Sequence, residues 1–141
     1  ERKEAKVIRS GYVSFEDALR QADVLSLHCP LNAETSGLIG ERELALMKPD
    51  AVLINTGRGG LVDEAALVAA LQAGRLGGAG VDVLTEEPPR NGNPLLDVSR
   101  PNLIVTPNVA WASVETVQRL ADQLIDNVTA FLKGAPRNVV V

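Results

Sequence analysis

Polar and charged side chains follow four apolar stretches of the sequence. Arg58 lies in the glycine-rich segment 56–60, Asp82 ends an apolar stretch, Glu87 precedes two prolines, and Asn108 follows a Thr-Pro pair. A guanidinium in a glycine-rich loop can bind a carboxylate through two parallel hydrogen bonds. A carboxylate on a stiff loop can orient a partner group, and an amide can donate a hydrogen bond to a carbonyl oxygen. These residue types suit a site for a small ligand that carries a carboxylate.

Each of these residues also has an ordinary structural explanation. An arginine in a glycine-rich turn is most often a solvated surface residue, and Glu86 and Glu87 can be solvated loop charges. Asp82 carries the strongest functional signal, because a charge within an apolar strand is costly unless it meets a partner. His28 can be a structural hydrogen-bonding residue, and Cys29 can be plain packing.

The composition limits the class of protein. The 141 residues are 45% hydrophobic and carry a net charge of −4, which fits a globular protein that avoids nucleic acid and anionic membranes. No apolar run approaches the roughly 20 residues that span a bilayer, and the charged residues 1–4 do not resemble a signal peptide. One cysteine and one histidine cannot form the usual zinc site, so we predict no metal. A single cysteine is typical of a reducing compartment.

Strands and helices alternate along the sequence. The predicted helices are Phe15–Gln21, Glu41–Met47, a helix capped by Asp63 that runs through Ala73, and one from near Ser113 to Gly134. The predicted strands are Val24–His28, Ala51–Asn55, Leu76–Val83 and Leu103–Thr106. The last helix has an apolar stripe with a period of 3.6, typical of core or interface. This order predicts an α/β fold with a parallel sheet and helices on both faces.

Ligands bind parallel sheets beyond the carboxyl ends of the strands, so the side chains there should gather at one rim. The residues that follow the predicted strands are Cys29 and Pro30, then Thr56, Gly57 and Arg58, then 82–87, and finally Asn108. The segment Gly78–Val83 begins like a dinucleotide fingerprint but lacks its last glycine. It also leads into a strand rather than a helix, so we predict that it does not bind a pyrophosphate.

Five segments, in this order, resemble the D-isomer-specific 2-hydroxyacid dehydrogenases. They are Ala22–Leu31, Leu44–Pro49, Asn55–Asp63, Gly80–Pro88 and Val105–Asn108. The segment Val109–Ser113 most resembles the glycerate dehydrogenase or hydroxypyruvate reductase branch. The resemblance implies the second part of a Rossmann-type NAD(P)-binding domain over residues 1–112. Residues 113–141 would be a final helix and tail that return toward a substrate domain, and the phosphate-binding turn would precede Glu1.

The resemblance also implies an oxidoreductase that interconverts 2-keto acids and D-2-hydroxy acids with NAD or NADP. By motif, Arg58 resembles the arginine that binds the substrate carboxylate, and Glu87 resembles the glutamate that pairs with the catalytic histidine. The implied cofactor-binding residues are Cys29, Pro30, Thr56, Gly57, Arg58, Asp82, Asn108 and Trp111. For Trp111, core packing is the ordinary alternative. The family further implies a homodimer in the cytoplasm.

Asn108 departs from the family pattern, which has a histidine as the general acid at this position. Asparagine has no proton to exchange near pH 7. Loss of a positioned acid typically lowers the rate roughly 10²–10⁴-fold. We therefore predict impaired turnover, with two alternatives: an inactive module that binds a dinucleotide, or a dimerisation module.

Overall fold

The structure, a computed structural model, describes residues 11–140. Its helices are α1 (Phe15–Gln21), α2 (Glu41–Leu46), α3 (Glu64–Gln72) and α4 (Val114–Leu132), with a short 3-10 turn at Gly59–Leu61. Its strands are β1 (Val24–Leu27), β2 (Val52–Asn55), β3 (Gly78–Val81) and β4 (Leu103–Val105). The described residues form two compact units, 11–108 with the sheet and 109–140 with α4.

The sheet is parallel throughout, in the order β1-β2-β3-β4. In register, Leu25 pairs with Leu53, Leu53 with Ala79, and Ala79 with Leu103. Because neighbouring strands run in the same direction, their carboxyl ends meet at one rim. The predicted α/β class with a parallel sheet is confirmed.

The two faces of the sheet differ in burial. Successive side chains of a strand point to opposite faces, and in β2 Leu53 is fully buried while Ile54 is only half-buried. On the face of Ile54, Val24 is 63% exposed and Ile104 is 66% exposed. The face of Leu53 carries the first three helices. Their core residues form one cluster with the strands that includes Leu19, Leu44, Leu67, Leu71, Leu27, Leu53 and Val81.

Local capping signals place the helix ends where the sequence predicts them. Ser14 Oγ accepts a hydrogen bond from the Asp17 amide at 3.1 Å, and Asp63 Oδ1 accepts one from the Ala66 amide at 3.0 Å. Such a cap satisfies one of the amides that a helix leaves unpaired at its start. Gly74 ends α3 with φ at +65°, in the left-handed region that glycine enters without strain.

All four predicted strands and the second predicted helix are longer than the observed elements, and the third strand differs most. The third strand spans only Gly78–Val81, the four residues that pair with Val52–Asn55 of β2. Asp82 therefore follows the strand rather than lying within it. The second helix ends at Leu46, one residue before the predicted Met47, with Lys48 and Pro49 beyond it.

The second unit contains α4, which begins at the predicted cap, Ser113. No residue of α4 is buried, and Leu124 is 65% exposed and Phe131 71% exposed. Of the two predicted alternatives for this stripe, core or interface, the core is excluded, and the interface stays a prediction. Trp111 is 57% exposed, so core packing is wrong for this residue too. Within residues 11–140, no helix combines the length and the apolar character that crossing a membrane requires.

Candidate active site and cofactor-binding rim

The carboxyl rim of the sheet collects one polar segment from each strand. Cys29 and Pro30 follow β1, Thr56 to Arg58 follow β2, Asp82 follows β3, and Asn108 lies three residues after the end of β4. All of these segments leave the sheet on the same side. The sequence prediction of where they lie is confirmed, whereas their roles in binding and catalysis stay predictions.

The segment after β2 is held by the last residue of that strand. Asn55 is 1% exposed, its Nδ2 donates to the Arg58 carbonyl at 2.9 Å, and its Oδ1 accepts from the Gly57 amide at 3.1 Å. The side chain of Arg58 is exposed, and its Nη1 donates to the Gly57 carbonyl at 2.7 Å. A guanidinium has five N–H donors, so this contact leaves Arg58 able to bind a carboxylate.

Asp82 is a buried carboxylate that joins the ends of three strands. It is 4% exposed, and the Thr106 hydroxyl donates a hydrogen bond to its Oδ1. Its amide donates to the Asn55 carbonyl at 2.9 Å, and its carbonyl accepts from the Asn108 amide at 2.8 Å. Burying a carboxylate without a hydrogen-bond donor is costly, and the Thr106 hydroxyl provides such a donor to Asp82.

Glu87 and Asn108 form a hydrogen-bonded pair at the rim. Asn108 Nδ2 donates to Glu87 Oε2 at 2.9 Å, and Glu87 Oε1 accepts from the Leu84 amide at 2.8 Å. Asn108 has a positive φ of 54°, a region that Asn, Asp and His enter more readily than most residues. The structure therefore pairs Glu87 and Asn108, two of the three residues that the family resemblance assigns to catalysis, but the pair is a carboxylate and a neutral amide.

Hydrogen bonds connect all four chemistry-bearing residues, although they lie far apart in the sequence. The Asn55 side chain binds the Arg58 carbonyl, backbone hydrogen bonds join Asn55 to Asp82 and Asp82 to Asn108, and the Asn108 side chain binds Glu87. These bonds fix the backbone positions from which the side chains of Arg58, Asp82 and Asn108 project, and one of them pairs the Asn108 and Glu87 side chains directly. Such preorganisation is what orienting a small substrate requires.

The remaining sequence candidates have simpler surroundings. His28 is exposed and its Nε2 lies 2.8 Å from Ser26 Oγ, and Cys29 packs in part against the core. Gly78 and Gly80 lie in β3 rather than at a helix start, so the prediction that this segment is part of a strand is confirmed. Trp111 belongs to the second unit, and its contact with a cofactor stays a prediction.

The residues of the rim fit the nicotinamide end of a dinucleotide. Pro30 is exposed and Cys29 half-buried, which provides apolar surface for a ring, and the exposed Thr56 follows the neighbouring strand β2. Asp82 supplies an acceptor of the kind that a carboxamide N–H requires. Within the described residues, no group of three His, Cys, Asp or Glu side chains is placed to hold a metal ion.

Sequence reasoning missed several residues that hold this site together. Asn55 and Thr106 were visible as polar residues at strand ends but were given no role. Glu64 and Asn93 bind each other, and Glu64 also binds the Thr85 amide beside Glu87. Neither carried a sequence signal, since an acid in a first helical turn indicates a dipole partner and an asparagine beside a proline indicates a turn. Their contacts appear only in the folded chain.

Comparison with known proteins assigns the chain to a family. Residues 1–110 match the profile of the D-isomer specific 2-hydroxyacid dehydrogenase NAD binding domain. The chain is 58% identical over 132 residues to a glycerate dehydrogenase from Methylorubrum extorquens, covering 94% of this chain and 42% of that protein. It is 43% identical to a hydroxypyruvate reductase from Blautia hydrogenotrophica, covering 92% of this chain and 39% of that protein.

Solved structures show the same fold. An acyclic imino acid reductase in complex with NADPH and D-Arg matches with a TM-score of 0.79 at 40% identity, covering 97% of this chain and 44% of that one. A D-isomer specific 2-hydroxyacid dehydrogenase from Lactobacillus delbrueckii ssp. bulgaricus, in its NAD complexed form, also gives 0.79, at 34% identity over 92% of this chain and 43% of that one.

The chain therefore spans less than half the length of these relatives, and the match extends over most of its own residues. The parallel sheet, the order of the motifs and the family profile agree with one another. The chain belongs to the D-isomer specific 2-hydroxyacid dehydrogenase family, and it matches that family's NAD-binding domain.

Proposed function

We propose that this chain forms the catalytic part of the NAD(P)-binding domain of a D-2-hydroxyacid dehydrogenase of the glycerate or hydroxypyruvate type, with turnover lowered by Asn108. The observation that carries the proposal is the 2.9 Å hydrogen bond between Asn108 and Glu87. By motif, Asn108 corresponds to the family's acid and Glu87 to the carboxylate that orients it, and their hydrogen bond supports this assignment. The 58% identity to a glycerate dehydrogenase supports the substrate type.

In this proposal each residue of the rim has one task. Arg58 binds the carboxylate of the keto acid, and Asp82 and Thr106 hold the nicotinamide end of the cofactor. Asn108 donates a hydrogen bond to the carbonyl oxygen, and Glu87 orients its amide. The bound cofactor, NAD or NADP, supplies or accepts a hydride.

Asn108 polarises a carbonyl but cannot protonate the alkoxide that forms. That proton would have to come from water, which is a weaker acid than an imidazolium. The loss of a positioned acid lowers the rate roughly 10²–10⁴-fold. Binding of substrate depends on Arg58, so KM should change much less than kcat.

The test is an enzyme in which this chain replaces the matching segment of the Methylorubrum extorquens relative. Reduction of hydroxypyruvate and glyoxylate is measured with NADH and with NADPH, for the chain as it stands and for Asn108→His. The φ of +54° suits histidine as well as asparagine, so the change leaves the backbone in place. We expect kcat to rise about 10²–10⁴-fold. An unchanged kcat would show that the roles are misassigned.

A second class of substrate, the iminium acids, tests the role of Asn108 separately, because their reduction by hydride needs no proton donor. A 2-keto acid ends as an alkoxide, whereas an iminium acid ends as a neutral amine and takes no proton from the protein. The Glu87–Asn108 pair also bears one negative charge. This charge attracts the positive iminium group, whereas it repels the alkoxide that a 2-keto acid forms. The similarity to an imino acid reductase supports including 2-keto acids mixed with ammonia in the assay.

The second candidate function is a catalytically inactive module that binds a dinucleotide or dimerises. Asn108 favours it, because binding needs no proton donor. Calorimetric titration with NADH separates the two functions: binding without turnover, both in the enzyme that keeps Asn108 and in its Asn108→His variant, supports the inactive module. We also propose a cytoplasmic homodimer, and light scattering that finds a monomer contradicts the dimer.

A further inference from the structure

The side chain of Glu64 connects helix α3 to the loop that carries Glu87. Glu64 is the first residue of α3 and is half-buried. Its Oε1 accepts a hydrogen bond from the Thr85 amide at 2.8 Å, and its Oε2 accepts one from Asn93 Nδ2 at 2.8 Å. Both oxygens of one carboxylate therefore bind the same loop, at two points on either side of Glu87.

The first contact holds the peptide group between Leu84 and Thr85. The amide of that peptide binds Glu64, and its carbonyl lies against Gly59, where an added Cβ would be 2.0 Å from the Leu84 carbonyl carbon. The peptide is thus confined between the start of α3 and the glycine-rich turn. The amide of Leu84 itself donates to Glu87 Oε1 at 2.8 Å, so the confined segment also determines where the carboxylate of Glu87 lies.

The second contact holds the far end of the loop. Asn93 is 5% exposed, and while its Nδ2 binds Glu64, its Oδ1 accepts from the Leu95 amide at 2.9 Å. Leu95 is 1% exposed and belongs to the core cluster. Loop residues on both sides of Glu87 are therefore bound to one helix, which itself packs in the core.

We propose that Glu64 is a positioning residue: it orients Glu87, and through Glu87 the amide of Asn108, by holding the Leu84–Thr85 peptide and Asn93. The route is a continuous set of contacts from Glu64 to Thr85, from Leu84 to Glu87, and from Glu87 to Asn108. The inference rests on the proposed function only in assigning Glu87 a role in catalysis. Its geometry is independent of any substrate.

The experiment is amide NMR on the 141-residue chain. In Glu64→Ala we expect the Leu84 and Thr85 amides to exchange with solvent about tenfold faster or more, because their protection depends on the lost contacts. The side-chain amide signals of Asn108 should move toward their positions in Glu87→Ala, which serves as the reference for an Asn108 side chain that has lost this carboxylate. Amides of β2 and β3 should stay unchanged.

The matched control is Glu41→Ala, which removes an exposed acid from the first turn of α2. Like Glu64→Ala, it takes a negative charge away from a helix N-terminus, so it controls for the loss of the interaction with the helix dipole. It should leave Leu84, Thr85 and Asn108 unaltered. Glu64→Gln retains one acceptor oxygen, so we expect a smaller change than in Glu64→Ala. It also serves as the test variant if the alanine form does not fold.

The proposal is overturned if Thr85 exchanges faster in Glu64→Ala while the Asn108 side-chain signals stay in place. That result would leave Glu64 as an anchor for the loop alone. A Glu41→Ala spectrum with the same changes would equally overturn it. Because no cofactor or substrate takes part in the measurement, failure of the proposed enzyme activity does not affect this readout.

Discussion

The loop after β2 is bound mainly by the strand it leaves, whereas the loop after β3 is held by residues from distant parts of the chain. In the Arg58 loop (residues 56–58), one side chain, Asn55, binds both the first glycine and the arginine. In the Glu87 loop (residues 82–102), the contacts come from Glu64 and from the close approach of Gly59. Both loops place a charged side chain at the same rim.

This difference follows from loop length. A short turn fixes few dihedral angles, so a single buried amide is enough to hold it. A long connection without helix or strand loses more conformational entropy when it is ordered. Tertiary contacts must compensate this loss. The Arg58 loop should therefore respond to local changes, and the Glu87 loop to changes elsewhere in the fold.

The largest effect should come from Gly59→Ala, because Gly59 directly follows the Arg58 loop and touches the Glu87 loop. The new Cβ would lie 2.0 Å from the Leu84 carbonyl carbon, a backbone atom that cannot turn away. We expect a loss of about 3 kcal/mol or more in the free energy of unfolding, measured by urea denaturation. In the matched Gly60→Ala the Cβ meets the end of the Leu31 side chain at 3.1 Å, so the loss should stay below about 1 kcal/mol. Equal losses would contradict the contact between the loops.

An intermediate effect should come from Asn55→Ala, which removes both local contacts of the Arg58 loop. The residue is 1% exposed, and its loss leaves the Gly57 amide and the Arg58 carbonyl without this partner. We expect about 2 kcal/mol of destabilisation in thermal unfolding. The neighbouring exposed Thr56→Ala should change stability by less than about 0.5 kcal/mol. If the two variants unfold alike, the loop does not depend on its strand.

The smallest effect should come from Asn91→Ala, at the exposed part of the Glu87 loop. Its side chain donates to Glu86 at 3.1 Å, but both residues are exposed and water replaces the contact. We expect a change below about 0.5 kcal/mol, against about 2 kcal/mol for the buried Asn93→Ala, both from chemical denaturation. A comparable loss in the two variants would show that the loop is not anchored through Asn93.

Much of the fold was predictable because its signals are local. Ser14 and Asp63 mark helix starts by their own capping chemistry, and Gly74 marks a helix end by its positive φ. The strand Val24–Leu27 is bounded by a helix on one side and a Cys-Pro pair on the other. The burial of the last helix was not predictable, since an apolar stripe has the same period whether or not anything covers it.

The sequence by itself determined the type and order of the elements, the parallel sheet, and the rim on which Arg58, Asp82, Glu87 and Asn108 lie. It did so because capping, hydrophobic periodicity and the direction of parallel strands act over short distances or follow from strand order. Only the tertiary structure decided which atoms meet: Thr106 with Asp82, Asn108 with Glu87, and Glu64 with the loop between β3 and β4. Those pairings join residues more than 20 positions apart, and they depend on packing that no local pattern encodes.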